Sequence, residues 1–268
     1  MSIWWLRILV FIFINAVVIG HYIILDANVK YVEQFLLLSM VSVAAGIEYL
    51  RKKGNYKTLG FSVSRFMIRE IFSGITLAIF SLGIITAVAL YFGASLSNSN
   101  WHSESILLTL CVATMEELFF RGVLQRSIEQ RFGGIVALLI SSIIFGLVHF
   151  YSTSIIYPAF LNIVLAGFVL GAMYMLTRSL WMSISFHAAW NYIEYSLFGR
   201  YPDPAIFSGI HENYRWWFTG EYGIEQGLCT TIILLLILVL LPNITSVSPY
   251  SAAALFKQRY AESVLTNS

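Results

Sequence analysis

Charge is what this sequence has least of. Of its 268 residues 11% are charged and 58% hydrophobic, whereas a soluble domain carries about 25% charged residues to coat its surface. That shortage excludes an ordinary water-soluble globule and makes a bilayer the natural solvent. Positive charge is scarce too: the net charge is +2, and no run of Lys and Arg interleaved with aromatics offers a base-stacking surface, which excludes a nucleic-acid partner. The two cysteines, Cys111 and Cys229, sit in apolar runs without CxxC spacing, so neither a disulfide framework nor a zinc knuckle is expected, and both read as small buried hydrophobes. The zincin pattern His-Glu-x-x-His is absent, and with it the usual signature of a helical zinc protease.

Long apolar runs are abundant. They recur at Ile3 to Leu25, Gln34 to Leu50, Ile71 to Gly93, Ser105 to Leu124, Gly134 to Phe150, Ile156 to Leu176, Leu180 to Leu197 and Gly227 to Val247. Each approaches the roughly 20 residues that a spanning helix needs. The first run lacks a clear small-residue cleavage site and is kept as a span. The expectation is an all-α, polytopic transmembrane bundle of about eight spans, folded as one domain over residues 1–268. Arg51, Lys52, Lys53, Lys57, Arg65 and Arg69 lie between the second and third runs, and the next connection, Ala94 to Glu104, has no Lys or Arg. The positive-inside rule then places both termini in the cytoplasm. Ser62 to Glu70 reads either as a short interfacial helix or as a simple basic loop, and Phe198 to Gln226, rich in Trp and Tyr, as a cap on the extracytoplasmic side. Gly167 and Gly171 carry the spacing that lets two membrane helices approach closely.

Ionisable residues inside such runs are costly and therefore informative, at roughly 2.5 to 3.5 kcal/mol each on insertion scales. The fourth run contains Met115-Glu-Glu-Leu-Phe-Phe-Arg-Gly-Val. Glu117 and Arg121, at i and i+4, share a helix face in the favourable order for an ion pair, while Glu116 is rotated away from that partner. Phe145 and His149 are likewise one turn apart in the fifth run, and His187 and Asn191 in the seventh. Singly, a membrane histidine or asparagine is packing glue. Together, a carboxylate, two imidazoles and a carboxamide on three helices can activate water and stabilise an oxyanion. His102, His211 and Glu194 fall near helix ends, where solvated side chains are normal, and carry no assigned chemistry.

The order Glu-Glu-x-x-x-Arg, Phe-x-x-x-His, His-x-x-x-Asn resembles the CPBP family, the CAAX prenyl proteases and bacteriocin-processing enzymes. The likeness runs from Glu116 to Asn191, takes in the turn Thr177-Arg-Ser-Leu-Trp181, and sets a family-like core at residues 105–197. It implies that Glu116 with His149 polarises the attacking water and that His187 and Asn191 steady the oxyanion. Glu117 and Arg121 would be structural, and Phe145 would shape the cavity wall. The resemblance also implies a peptide or protein substrate at the membrane, with the lipid bilayer as the other partner, and a prokaryotic plasma membrane as the location. No cofactor is fixed by it. Glu116, His149 and His187 could ligate a divalent metal such as zinc, and a glutamate beside histidine can also act as base without one.

Two other classes compete with a peptidase: a non-proteolytic bacteriocin-immunity or scaffold protein that keeps the polar cluster for packing, and a small transporter using it as a relay. The sequence shows no paired half-helix breaks of the kind inverted-repeat transporters carry, which counts against the last.

Overall fold

The computed structural model describes residue 9 and residues 60–61, 63–95, 103–152, 157–198, 211–220 and 223–245. The first two expected spans, apart from Leu9, lie outside the described residues. The rest is helical as expected: α1 (Met67–Tyr91), α2 (Ser103–Glu117) running into a π-helical stretch (Leu118–Gln125) and α3 (Arg126–Phe132), α4 (Gly134–Ser152), α5 (Tyr157–Thr177), α6 (Trp181–Ile193) with a π-helical end (Glu194–Phe198), α7 (Glu212–Phe218), a 3-10 turn (Ile224–Gln226) and α8 (Leu228–Ile244). An isolated bridge between Gly220 and Gly223 is the extended pairing found among the described residues.

α1 and α5 are long and apolar enough to cross a membrane, with 25 and 21 residues, and Gly134–His149 and Leu228–Ile244 are apolar but shorter. At 1.5 Å per residue α1 spans about 37 Å, against a hydrocarbon core of about 30 Å. The outward faces are apolar as well as the inward ones. On α1, Phe72, Ile79, Phe80 and Ile84 are exposed while Ala78, Leu82, Ile85 and Ala89 are buried; on α8, Leu235, Leu236, Val239 and Leu240 are exposed while Leu234, Ile237 and Leu241 are buried. Apolar faces this extensive are stable against lipid and not against water, so this is a membrane protein.

Among the described residues 63–70 no separate interfacial helix forms. Ser64 accepts a hydrogen bond from the Phe66 backbone N–H at 3.2 Å, making a turn, and α1 starts at Met67 and continues into the span. Nothing between Met67 and Ile71 breaks a helix, so the amphipathic stretch and the span become one element.

α1 packs most extensively on α6, and α4 on α5. The α4–α5 contact depends on Gly167, as its spacing suggests: a Cβ there would stand 3.0 Å from Ser142 Cα. Backbones this close leave the carbonyls of α5 within reach of donors from the neighbouring π-helical stretch. Arg121 Nη2 donates to Gly167 O and Gln125 Nε2 to Gly171 O, both at 3.1 Å, and Ser141 Oγ donates to Gln125 Oε1 at 3.2 Å. Two long polar side chains thus lock the register of α5 against the helix that carries the acids.

Between α5 and α6 the chain turns at Arg178, whose φ of 57° is left-handed, and its Nη1 donates to Glu129 Oε2 of α3 at 2.8 Å. Burial disfavours the guanidinium's charge, but the hydrogen bond and charge of Glu129 outweigh it, and the Arg178 pKa lies above its ordinary value. Cys111 is buried and Cys229 half-buried, and neither is in a disulfide.

Candidate active site

Adjacent acids on a helix point about 100° apart, and here the difference assigns them to two environments. Glu117 turns into the bundle, fully buried. Its Oε1 accepts from Arg121 Nη1 at 2.8 Å, the expected ion pair, and also lies 3.0 Å from His187 Nδ1. A carboxylate accepts and does not donate, so His187 carries hydrogen on Nδ1 and presents Nε2 to the other side. Arg121 is 1% exposed and is satisfied in a second way: its guanidinium lies 4.7 Å from the centroid of the Phe145 ring, a cation–π contact that gains strength away from water.

Glu116 faces a cavity of about 360 Å³, lined also by Phe145, His149, His187 and Asn191. Its Oε2 is 3.8 Å from His149 Nε2 and 3.7 Å from His187 Nε2, and it has no hydrogen-bond partner among the described residues. His149 Nδ1 lies 2.8 Å from the carbonyl oxygen of Phe145. That oxygen can only accept, so Nδ1 carries the hydrogen and Nε2 lies on the side of Glu116. Both imidazoles are therefore held by their Nδ1 sides and turn Nε2 toward one carboxylate oxygen. Phe145 wedges between them, its ring centroid 4.5 Å from His149 and 6.1 Å from His187. It is 3% exposed and packs edge-on against Phe120.

All seven residues singled out from the sequence thus fall within one neighbourhood. Glu116, His149, His187, Asn191 and Phe145 line the cavity, and Glu117 and Arg121 stand behind it. As a metal site the set is loose. Two ligands of one tetrahedral zinc sit about 3.4 Å apart, closer than either imidazole is to Glu116, and no group of three His, Cys, Asp or Glu among the described residues is arranged to hold a metal ion.

Sequence reasoning missed two residues here. Glu225, from the 3-10 turn, also lines the cavity, and Asn162 of α5 holds that turn by donating to the carbonyls of Glu225 and Gly227. A polar residue inside an otherwise apolar span was the available signal for Asn162. For Glu225 it was an acid directly before the last apolar run. Glu194, expected to be solvated, is 6% exposed: the π-helical end of α6 turns it inward toward Gly223. His211 is exposed as expected and caps α7 by accepting from the Asn213 N–H at 3.3 Å, while His102 lies outside the described residues.

Fold and site together define a helical membrane protein that encloses a carboxylate and two imidazoles in one cavity. Within that class, residues 98–193 match the family model described as type II CAAX prenyl endopeptidase Rce1-like, a family of proteases, which supports the resemblance read from the motifs. The match covers the three motif helices and the turn at Arg178. No curated protein and no solved structure matches the chain.

Proposed function

We propose that the chain is an intramembrane endopeptidase that hydrolyses a peptide bond near the end of a membrane-associated or leader- or tail-bearing peptide, with Glu116 as the base. The carrying observation is the pair of Nε2 atoms turned toward the unsatisfied Glu116 Oε2 at 3.7 and 3.8 Å. These separations are too long for direct hydrogen bonds and suit a water seated beside them. Such a water donates one hydrogen to Glu116 and the other to His149 Nε2, which leaves a lone pair for the scissile carbonyl. Glu116 takes the proton as the bond forms and returns it to the leaving amine.

His187 acts on the opposite charge. Glu116, Glu117 and Arg121 sum to one negative charge, which a second proton on His187 balances. His187 then donates from Nδ1 to Glu117 and from Nε2 to the developing oxyanion, with Asn191 as the other donor. Phe145 and the Arg121 pair behind it keep both rings in place. No step in this scheme requires a metal.

In this reading the chain crosses the bilayer about eight times with both termini in the cytoplasm of a prokaryotic cell, and residues 1–268 form one domain around the core at 105–197. Six of the eight apolar runs coincide with helices among the described residues.

The test compares wild-type and Glu116→Gln protein, purified in detergent and matched for thermal stability, on a quenched peptide library with and without a chelator. Loss of cleavage by at least about 100-fold in the variant, with wild type insensitive to chelation, is expected. Equal cleavage by both sinks the catalytic assignment. Activity lost on chelation and restored by zinc sinks the metal-free route.

A further inference from the structure

The two ends of the bundle carry different exposed side chains. At one end Tyr91 and Phe92 close α1, Tyr157 opens α5, and Tyr214, Trp216 and Trp217 stand on α7, all of them exposed. At the other end the exposed groups include Arg65 and Arg69, at the start of α1, and Arg131, at the end of α3. The Leu180 N–H donates to Gly60 O at 2.9 Å, which ties the approach to α1 to the end of α5 away from Tyr157. From Arg69 to Tyr91 α1 rises about 33 Å, slightly more than a hydrocarbon core of about 30 Å. With the arginines in one headgroup layer, the aromatics stand in the other.

α7 differs from the spans. Apart from Phe218 its described side chains are exposed, and Asn213 and Arg215 alternate with Tyr214 and Trp216. Trp216 Nε1 donates to Asn213 O at 3.0 Å, and the Trp216 and Trp217 rings lie 4.9 Å apart, so the helix presents ring surface outward. Such a surface is unfavourable in water, and the guanidinium and carboxamide beside it are unfavourable in hydrocarbon. A headgroup layer accommodates both, with rings against acyl chains and polar groups in water. The surface continues the lipid-facing side of α1, because the Phe92 ring packs on Tyr214 at 5.3 Å and on Phe218 at 5.8 Å.

We infer that α7 is a lipid-surface anchor: Tyr214, Trp216 and Trp217 seat in the headgroup layer at the Tyr91 end of the bundle, and α7 carries one wall of the cavity with it. The coupling follows from how α7 is joined to that wall. The N–H groups of Gly220 and Gly223 each donate to the other's carbonyl at 3.2 Å, and Gly227 lies so close to α7 that a Cβ there would stand 2.5 Å from Phe218 O. Between them the 3-10 turn is held from the spans. Asn162 Nδ2 donates to the carbonyls of Glu225 at 2.7 Å and Gly227 at 3.1 Å, and Thr230 Oγ1 to that of Ile224 at 2.7 Å. Glu225 of this turn and Ile163 beside Asn162 both line the cavity, so a shift of α7 in the headgroup layer displaces cavity wall. The inference goes beyond the endopeptidase reading and holds whatever the cavity does, since α7 lies outside residues 98–193. In the topology proposed above, the layer belongs to the extracytoplasmic leaflet.

Full-length protein in phosphatidylcholine vesicles tests the anchor. The emission of Trp216 and Trp217 is the difference between wild type and Trp216→Phe/Trp217→Phe, a pair of substitutions that keeps two rings in place. It is measured against lipids brominated at shallow or deep acyl positions and against aqueous acrylamide. Shallow bromines are expected to quench it at least about twofold more than deep ones, with weak quenching by acrylamide. Quenching by acrylamide alone puts α7 in water, and quenching strongest from deep bromines puts it in the hydrocarbon core. Protection from both quenchers means that protein covers the face, either a second copy of the chain or another of its segments. Each of these three results overturns the inference. Hydrogen exchange in the same vesicles tests the coupling: Trp216→Ser/Trp217→Ser should speed exchange over residues 223–231 at least about fivefold while α2 and α4 keep wild-type rates. Unchanged exchange over 223–231 overturns it. If α2 and α4 loosen too, the single variant Trp217→Ser is read by the same criterion. None of these readouts depends on peptide cleavage, so the endopeptidase reading and the anchor stand or fall separately.

Discussion

His187 Nδ1 lies 3.0 Å from Glu117 Oε1 across a separation of 70 residues in the chain, and that same oxygen accepts from Arg121. One buried carboxylate oxygen thereby orients a cavity imidazole and neutralises a buried guanidinium. Glu116, next to it in the chain, is left to face the cavity. The two acids are chemically alike and should respond differently to the same substitution.

Glu117→Gln strands Arg121 without its charge partner, and breaking a buried pair from one side costs about 3–5 kcal/mol. Glu116→Gln removes a charge from the cavity wall and should change stability by less than about 1 kcal/mol. Thermal unfolding in detergent is expected to show a large drop for the first variant and a small change for the second. A Glu117→Gln protein as stable as wild type would contradict the buried-pair assignment.

Arg121→Lys keeps the charge and loses the fork. A lysine cannot reach Glu117 and Gly167 O together while also stacking a planar group on Phe145, so stability should fall by about 1–2 kcal/mol. Peptide cleavage should fall with it, because the support behind Phe145 and His187 loosens. Unchanged melting and cleavage would mean that the contacts to Gly167 and Phe145 contribute nothing.

Gly167→Ala pushes a methyl group against the Ser142 backbone, and overpacking of this kind costs about 1–3 kcal/mol. Gly83→Ala is the control, since a Cβ there meets nothing within 4 Å and removing a mid-helix glycine should be neutral or stabilising by up to about 1 kcal/mol. The same sign of effect at both positions would show that close approach of α4 and α5 is not what requires Gly167.

The Arg178–Glu129 pair should contribute without pH dependence from its cation. The Arg178 pKa is raised, so the stabilisation is fully present below the unfolded-state arginine value and is lost only as pH rises through the still higher folded value. Over about pH 6 to about pH 9 the loss of melting temperature on Arg178→Gln is expected to be constant. Being partly exposed, the pair should be worth about 1 kcal/mol or less. A loss that fades toward pH 9 would contradict the assignment.

How much of this was legible in the sequence depended on whether neighbours in space were also neighbours in the chain. Glu117 with Arg121, Phe145 with His149 and His187 with Asn191 each stand four apart, and helical geometry alone groups them. Gathering the three pairs around one cavity came from the family likeness, because spacing within a helix says nothing about which helices meet. The hold of Asn162 on the 3-10 turn was not legible: Asn162 and the carbonyls of Glu225 and Gly227 are 63 and 65 residues apart, with Glu225 read as part of a cap and Gly227 as the start of the last apolar run. Glu194 was misjudged because a position near a helix end does not say which way a π-helical turn will point it.

Between Leu118 and Gln125 the helix is wound more loosely than on either side, its hydrogen bonds reaching five residues back instead of four. The acids lie just before this stretch, and Arg121 and Gln125, which grip α5, lie within it. One residue removed there would let the winding tighten to an ordinary α-helix, and the widened turn from which Arg121 and Gln125 reach the carbonyls of α5 would be lost. What is inherited here is a length as much as a composition, and a deletion that spares every acid and histidine would still dismantle the site.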